Sequence, residues 1–118
     1  MRIFTYNLIF LILLPFTAAR IIIKSFHDRD YLIKFRHRFG IYKEKSKNNP
    51  IWFHAVSLGE VIASETIIKK LLNDTSIVLT TSTPTGYREA KKIYGDKIKI
   101  LYAPWDFILF VEGFIRNF

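Results

Sequence analysis

Ile51-Trp-Phe-His-Ala-Val-Ser-Leu-Gly-Glu60 is a short apolar run that breaks into a serine, a glycine and a glutamate. Its first six residues, Ile51 to Val56, are partly β-branched and predict a strand, and Val61 to Leu72 beyond the turn has helical periodicity. Working outward, Ile77 to Thr81 and Ile98 to Tyr102 read as further strands, with Tyr87 to Tyr94 as the helix between them. A last segment, Trp105 to Phe118, reads as another helix. Strand alternating with helix is the pattern of parallel βαβ units joined by right-handed crossovers. The strands are too continuously apolar for a half-exposed antiparallel sheet. The expected fold class is therefore α/β with a parallel sheet.

A chain of 118 residues holds one domain at most. Its formal charge of +8 and pI near 9.8 point to an anionic partner such as a membrane surface, a phosphorylated ligand or nucleic acid. Nucleic acid is the weaker reading and is not expected, because neither zinc-finger spacing nor an RNA-recognition motif accompanies the charge. The absence of cysteine excludes disulfides, thiol catalysis and cysteine-ligated metal.

No charged residue occurs from Ile3 to Ala19, and Ile21, Ile22 and Ile23 resume the apolar run after Arg20. A helix from Ile3 to Ile23 would span roughly 31 Å, close to the hydrocarbon thickness of a bilayer. Arg20 can snorkel to the headgroups from one end, and Pro15 kinks such a helix without forbidding it. Residues 1–24 are thus read as a hydrophobic membrane anchor. Two other readings stand beside it: a buried core helix, and a cleaved signal peptide with Met1-Arg2 as its positive region and Thr17-Ala18-Ala19 as its small-residue site. Against export, the stretch from Arg20 to Lys47 carries nine basic residues and three acidic ones. The positive-inside rule keeps such segments on the cytoplasmic side.

Residues 25–50 form a basic segment and linker. Tyr31, Leu32, Phe35 and Phe39 recur at helical spacing among Lys34, Arg36, His37 and Arg38, and Gly40 provides a stop. This predicts a short amphipathic basic helix, with Ser46 to Pro50 as a polar linker. Either its aromatic face docks on the domain, or the segment binds anionic lipid headgroups.

From 51 to 118 each predicted strand ends in a polar cluster: His54 and Ser57-Leu-Gly-Glu60, then Thr80-Thr-Ser-Thr-Pro-Thr-Gly86, then Tyr102-Ala-Pro-Trp-Asp106. Three clusters on one edge of a parallel sheet make a cleft, which is where open α/β sheets keep their ligands. Glu60 is the first candidate for catalysis, beside a glycine that leaves room for substrate. Ser57-x-x-Glu60 is equally a capping box, with serine and glutamate folded onto the helix start. The two readings place the Glu60 carboxylate differently. His54 is either a satisfied strand-end histidine or a base or ligand. In the Thr-Pro-Thr-Gly element, threonine caps a helix with proline at its first position, and the same amides and hydroxyls can hold a phosphate or carboxylate.

The ordered set Arg38-Phe-Gly40, Trp52-Phe-His-Ala-Val-Ser-Leu-Gly-Glu60, Thr80-Thr-Ser-Thr-Pro-Thr-Gly86 and Tyr102-Ala-Pro-Trp-Asp106, behind a hydrophobic N-terminus and a basic segment, resembles the N-terminal half of the 3-deoxy-D-manno-octulosonic acid (Kdo) transferases. The resemblance covers essentially the whole chain. It implies a partial Rossmann-like acceptor domain over 51–118, from a membrane-associated, metal-independent, inverting glycosyltransferase of the two-domain GT-B type. That enzyme would move Kdo from CMP-Kdo to the lipid A precursor at the cytoplasmic face of the inner membrane, without a further cofactor. Glu60 then matches the family's proposed general base, and Ser57, Gly59, Thr83, Thr85, Gly86 and Arg38 fall to acceptor binding. The family's donor-binding second domain has no counterpart before Phe118. The expectation is therefore a truncated reading frame, a split gene product or a fragment, marginally stable and inactive alone. The non-enzymatic alternative is a membrane-anchored basic module that binds anionic lipid.

Overall fold

A computed structural model describes residues 2–26, 34–46 and 49–118. Tyr31 and Leu32, the first half of the expected amphipathic helix, and residues 47–48 of the expected linker lie outside the described residues. The elements run α1 (Arg2–Ser25), a 3₁₀ turn (Phe35–Phe39), β1 (Ile51–His54), α2 (Leu58–Leu71), β2 (Ile77–Thr81), α3 (Pro84–Tyr94), β3 (Lys99–Tyr102) and α4 (Ile108–Asn117). The α/β reading holds. All three strands are parallel and lie in sequence order, with Ile51 opposite Ile77 and Val78 opposite Lys99.

The two faces of the sheet bury different residues because side chains alternate along a strand. Leu79 and Ile100 point to the face covered by α2 and α3, where Val61, Ile68, Ala90 and Tyr94 meet them. Val78 and Leu101 point to the opposite face and pack on Phe114 of α4 and on Tyr42. Each fully buried Leu or Ile contributes about 1.5–3 kcal/mol.

The apolar N-terminus is one helix of 24 residues with Pro15 inside it. It has a mean hydropathy of 2.0, is long and apolar enough to cross a membrane, and is not buried in the domain. It touches the domain where the Tyr6 hydroxyl donates to Asp106 Oδ2 at 2.7 Å and Phe10 stacks on Phe107.

The basic segment departs from its expected form. Phe35–Phe39 is a 3₁₀ turn rather than an α-helix, and Gly40 ends it at φ 72°. Its aromatic side docks on the domain, for Phe35 and Phe39 pack edge-on against Trp105, and Phe39 also meets Phe110. Two of its cationic-class residues, His37 and Arg38, are buried rather than solvated. Gly40 lies against the backbone of α4, and a Cβ there would stand 2.2 Å from the Phe110 carbonyl oxygen.

Candidate active site

The parallel order brings the three polar clusters to one edge of the sheet, as the strand ends require. Val56, just past β1, ties two of them together. Its carbonyl accepts from the Ser82 amide at 3.1 Å and from the Thr81 hydroxyl at 3.2 Å, so the turn before α2 is bonded to the turn before α3. Its amide donates to Glu60 Oε2 at 2.6 Å. Ala55 donates to Thr80, so strand alternation points the next amide, that of Val56, away from β2. A carboxylate from the first turn of α2 satisfies it.

That bond corrects the capping-box reading. Ser57 occupies the N-cap position in extended backbone but makes no side-chain cap bond, and Glu60 reaches the amide of residue 56 instead of 57. The box is half made and displaced by one residue. Glu60 is exposed at the strand end, and Oε1 has no partner among the described residues. Gly59 beside it faces open space where a Cβ would stand.

Thr83 caps α3 as its sequence predicts, accepting the Gly86 amide at 3.1 Å, with Pro84 following in the first turn. The exposed Thr85 hydroxyl donates to Thr83 Oγ1 at 3.4 Å. Gly86 must be glycine: a Cβ would lie 2.5 Å from Thr81 Oγ1, 3.0 Å from Thr83 Oγ1 and 3.4 Å from the Leu58 amide nitrogen. The missing side chain lets the first turns of α2 and α3 abut. Ser57, Gly59, Glu60, Thr83, Thr85 and Gly86 are thereby gathered at two adjoining helix N-termini, whose dipoles favour an anion.

Arg38 reaches the same edge from below. It is buried, its guanidinium lies 4.8 Å from the centre of the Tyr102 ring, and Nη2 donates to the Ser82 carbonyl at 3.2 Å. It thus braces the turn before α3. His54 is exposed, with Nδ1 2.9 Å from the Thr80 hydroxyl, which also accepts the Trp52 indole N–H at 2.8 Å. A cleft of about 360 Å³ opens beside it on the α4 side, lined by Trp52, His54, Ala103, Pro104, Asp106 and Val111. Among the described residues no group of three His, Asp or Glu is placed to hold a metal ion.

Sequence reading missed a polar cluster around buried His37 that holds the basic segment in place. His37 Nδ1 accepts the Tyr102 amide at 3.3 Å, while Nε2 lies 3.2 Å from Glu44 Oε2 and Lys34 donates to Glu44 Oε1 at 3.0 Å. With Nδ1 accepting, the proton of neutral His37 sits on Nε2 and is donated to Glu44. Burial lowers His37 to about 4 against the pull of the Glu44 carboxylate. Burial is the largest single influence on Glu44 and would raise it, but the hydrogen bond from Lys34, a backbone hydrogen bond and the charges of His37 and Lys34 together outweigh burial and hold the carboxyl at about 2.

Both shifts act in one direction. The unfolded chain takes up a proton on histidine near 6.5 that the folded chain refuses until about 4, so stability is full above pH 6.5 and declines from there toward 4. Glu44 adds a second loss as pH falls from 4.5 toward 2. Urea unfolding in detergent, followed by tryptophan fluorescence from pH 7.5 to 4, should show this decline, and His37→Asn should flatten it between 6.5 and 4.5. A wild-type profile already flat over that interval would show that His37 is not buried neutral.

Comparison with known proteins completes the picture. Residues 34–118 match the family described as 3-Deoxy-D-manno-octulosonic-acid transferase (kdotransferase). The 3-deoxy-D-manno-octulosonic acid transferase of Haemophilus influenzae is 34% identical over 118 residues, covering 96% of this chain and 28% of the relative. That of Chlamydia trachomatis serovar D is 29% identical over 111 residues, covering 86% of this chain and 25% of the relative. A bifunctional glycosyltransferase/methyltransferase of Fusobacterium nucleatum is 43% identical over 60 residues, covering 48% of this chain and 9% of the relative. The chain thus spans about a quarter of the length of the first two. No solved structure matches it.

Proposed function

The chain belongs to the 3-deoxy-D-manno-octulosonic acid transferase family, and from that membership we propose that it forms the acceptor-binding part of an inverting, membrane-anchored glycosyltransferase that moves Kdo from CMP-Kdo to the lipid A precursor. The observation that carries the proposal is the setting of Glu60. Its carboxylate stands at the C-terminal edge of the sheet, pinned through one oxygen to the Val56 amide, with the other unengaged among the described residues. A carboxylate so held can take the proton of an acceptor hydroxyl as that oxygen attacks the anomeric carbon. Inversion needs no covalent enzyme intermediate.

Around it, the first turns of α2 and α3 would receive the phosphorylated acceptor. Thr83 Oγ1 already accepts from Gly86 and Thr85, so its own proton remains for donation outward, and the Thr85 hydroxyl is exposed. Arg38 acts as a positioning residue through Ser82. The apolar α1, followed by basic sequence, would hold this edge at the cytoplasmic face of the inner membrane. The basic-module alternative is less well supported, because Phe35 and Phe39 are turned into the domain rather than toward a lipid surface.

The test is reconstitution. The chain in vesicles, supplied with the remainder of the Haemophilus influenzae relative on a second polypeptide, is expected to transfer Kdo from CMP-Kdo to the lipid A precursor. Each part alone should not. Salt-sensitive binding to any anionic vesicle, with no saturable preference for the lipid A precursor and no transfer, would instead establish the basic module.

Gly59 offers a separate check. Because open space lies where its Cβ would be, Gly59→Ala should stabilise α2 by up to about 0.5–1 kcal/mol. If that space receives the acceptor, the same change should raise KM for the lipid A precursor in the reconstituted enzyme. An unchanged KM would remove Gly59 from the acceptor site.

A further inference from the structure

By length and hydropathy α1 is a helix that can cross a membrane. The structure holds it differently. A helix that crosses alone meets lipid on every side, whereas α1 has one sheltered face and one open face. Asn7, Phe10, Leu14, Ala18, Ile21 and Lys24 are half-buried and recur every three or four residues, which puts them on one face from end to end. On the opposite face Ile12, Phe16 and Ile23 are 62%, 71% and 62% exposed.

The first half of the helix is docked. Phe10 lies 5.8 Å from Phe107 between ring centres, and the Tyr6 hydroxyl is bonded to Asp106. Ile3, Tyr6 and Asn7 form one wall of a cleft of about 390 Å³, and Asp106, Ile108, Glu112 and Ile115 stand on the other. The two acids limit what a docked α1 can do. Its first turns cannot enter hydrocarbon without drawing in the carboxylates of Asp106 and Glu112, and charge at that depth is costly. To cross, α1 would have to release both contacts.

The charges of α1 agree with a helix that lies down. Arg2 and Arg20 are 18 residues apart, five whole turns, so they stand on one flank between the sheltered and open faces, with Lys24 a turn further on. No acid interrupts them within α1. Cations on such a flank meet the headgroups when the helix axis runs along the surface. An interfacial helix ordinarily carries a polar face of its own. α1, with a mean hydropathy of 2.0, does not, and the domain docked on its sheltered side takes that place.

We infer that α1 is an in-plane anchor: it lies along one leaflet with Ile12, Phe16 and Ile23 in the hydrocarbon and Arg2, Arg20 and Lys24 among the headgroups, and it does not cross. Both ends of α1 then stay on the side that holds the domain. Through Tyr6 and Asp106 the anchor is tied to the strand-end cluster that follows β3. The C-terminal edge of the sheet is thereby kept beside the headgroups, where a membrane-borne acceptor is found. The inference rests on the reading of α1 as the membrane anchor and is independent of the role of Glu60.

The chain has no cysteine, so a single introduced cysteine bearing a nitrobenzoxadiazole label reports only its own position. The test adds the labelled 118-residue chain to vesicles of phosphatidylethanolamine and phosphatidylglycerol. With labels at Ile3→Cys and Phe26→Cys, at the two ends of α1, external dithionite should quench both by about nine-tenths or more, because both ends lie outside. Protection of one end alone overturns the in-plane anchor and leaves the membrane anchor standing. Failure of the chain to float with the vesicles overturns both. A second readout uses depth. Ile12 is near the middle of α1 and Ile23 near its end, so in a crossing helix their depths differ by about 16 Å. Lying in plane they are equally deep, and brominated lipid should quench labels at Ile12→Cys and Ile23→Cys to the same extent. Quenching at Ile12 about twofold or more above that at Ile23 overturns the proposal. Phe16→Cys replaces Ile12→Cys should the latter lower the unfolding midpoint.

Discussion

Glu60→Gln in the reconstituted enzyme should lower the rate of Kdo transfer by about 10²–10⁴-fold with little change in KM for the lipid A precursor. The carboxamide oxygen can still accept the Val56 amide, now held at 2.6 Å by Oε2. The turn before α2 is therefore preserved, and the substitution removes basicity rather than structure. A loss of that size is about 3–5 kcal/mol of transition-state stabilisation. The readout separates two roles. If Glu60 only caps its helix, Gln performs the same task, both the rate and the unfolding midpoint stay where they were, and the assignment as base falls. If it is the base, the midpoint stays and the rate collapses.

Gly40→Ala should be the most destabilising small substitution in the chain. Gly40 sits at φ 72°, a conformation that costs an L-residue about 1–2 kcal/mol. The added methyl would also stand 2.2 Å from the Phe110 carbonyl oxygen and 2.7 Å from its Cα. Those are backbone atoms of a helix, so no side-chain rotation relieves the clash, and overpacking of this kind costs about 1–3 kcal/mol more. The combined loss is about 2–5 kcal/mol, a large part of the stability of an ordinary domain. Gly113→Ala attacks the same contact from the other side, with its Cβ 2.3 Å from the Gly40 carbonyl oxygen. The two losses should be less than additive, because either one already separates the pair. Chemical denaturation of the single and double variants checks both statements, and a loss under about 1 kcal/mol for Gly40→Ala would show that the loop can move away from α4.

The strands were legible because their β-branched runs are short, continuous and bounded by polar turns; β2 was read to the residue. Helix starts were less so. α2 begins at Leu58 rather than Val61, since Leu58-Gly59-Glu60 has no apolar periodicity to declare it. α3 begins at Pro84 rather than Tyr87, although its threonine cap and following proline were visible as such. α4 begins at Ile108 rather than Trp105 because Phe107 is extended, at φ −128° and ψ 134°, and the Trp105 amide before it is tied to the Arg38 carbonyl, a partner 67 residues away that local pattern cannot supply. The same limit hid the burial of His37 and Arg38. A run of cations reads as a solvated face, and only the edge of β3 and the ring of Tyr102 explain why these two are enclosed. At the site, the cap of Thr83 followed from local grammar, whereas the position of the Glu60 carboxylate did not. It depends on which amide the strand pairing leaves unmet, and that is a property of the assembled sheet.

The close approach of Gly40 to α4 also bears on the order in which the chain folds. Each strand of the sheet pairs with its sequence neighbour, so the sheet can assemble through crossovers of modest length as the polypeptide emerges. Gly40 and Gly113, by contrast, meet across 73 residues of sequence, so their contact is expected to close late. A contact closed that late is largely absent from the folding transition state, and weakening it should leave the folding rate nearly alone while hastening unfolding. The Gly40 contact is then a latch on residence time in the native state, not a nucleus for reaching it.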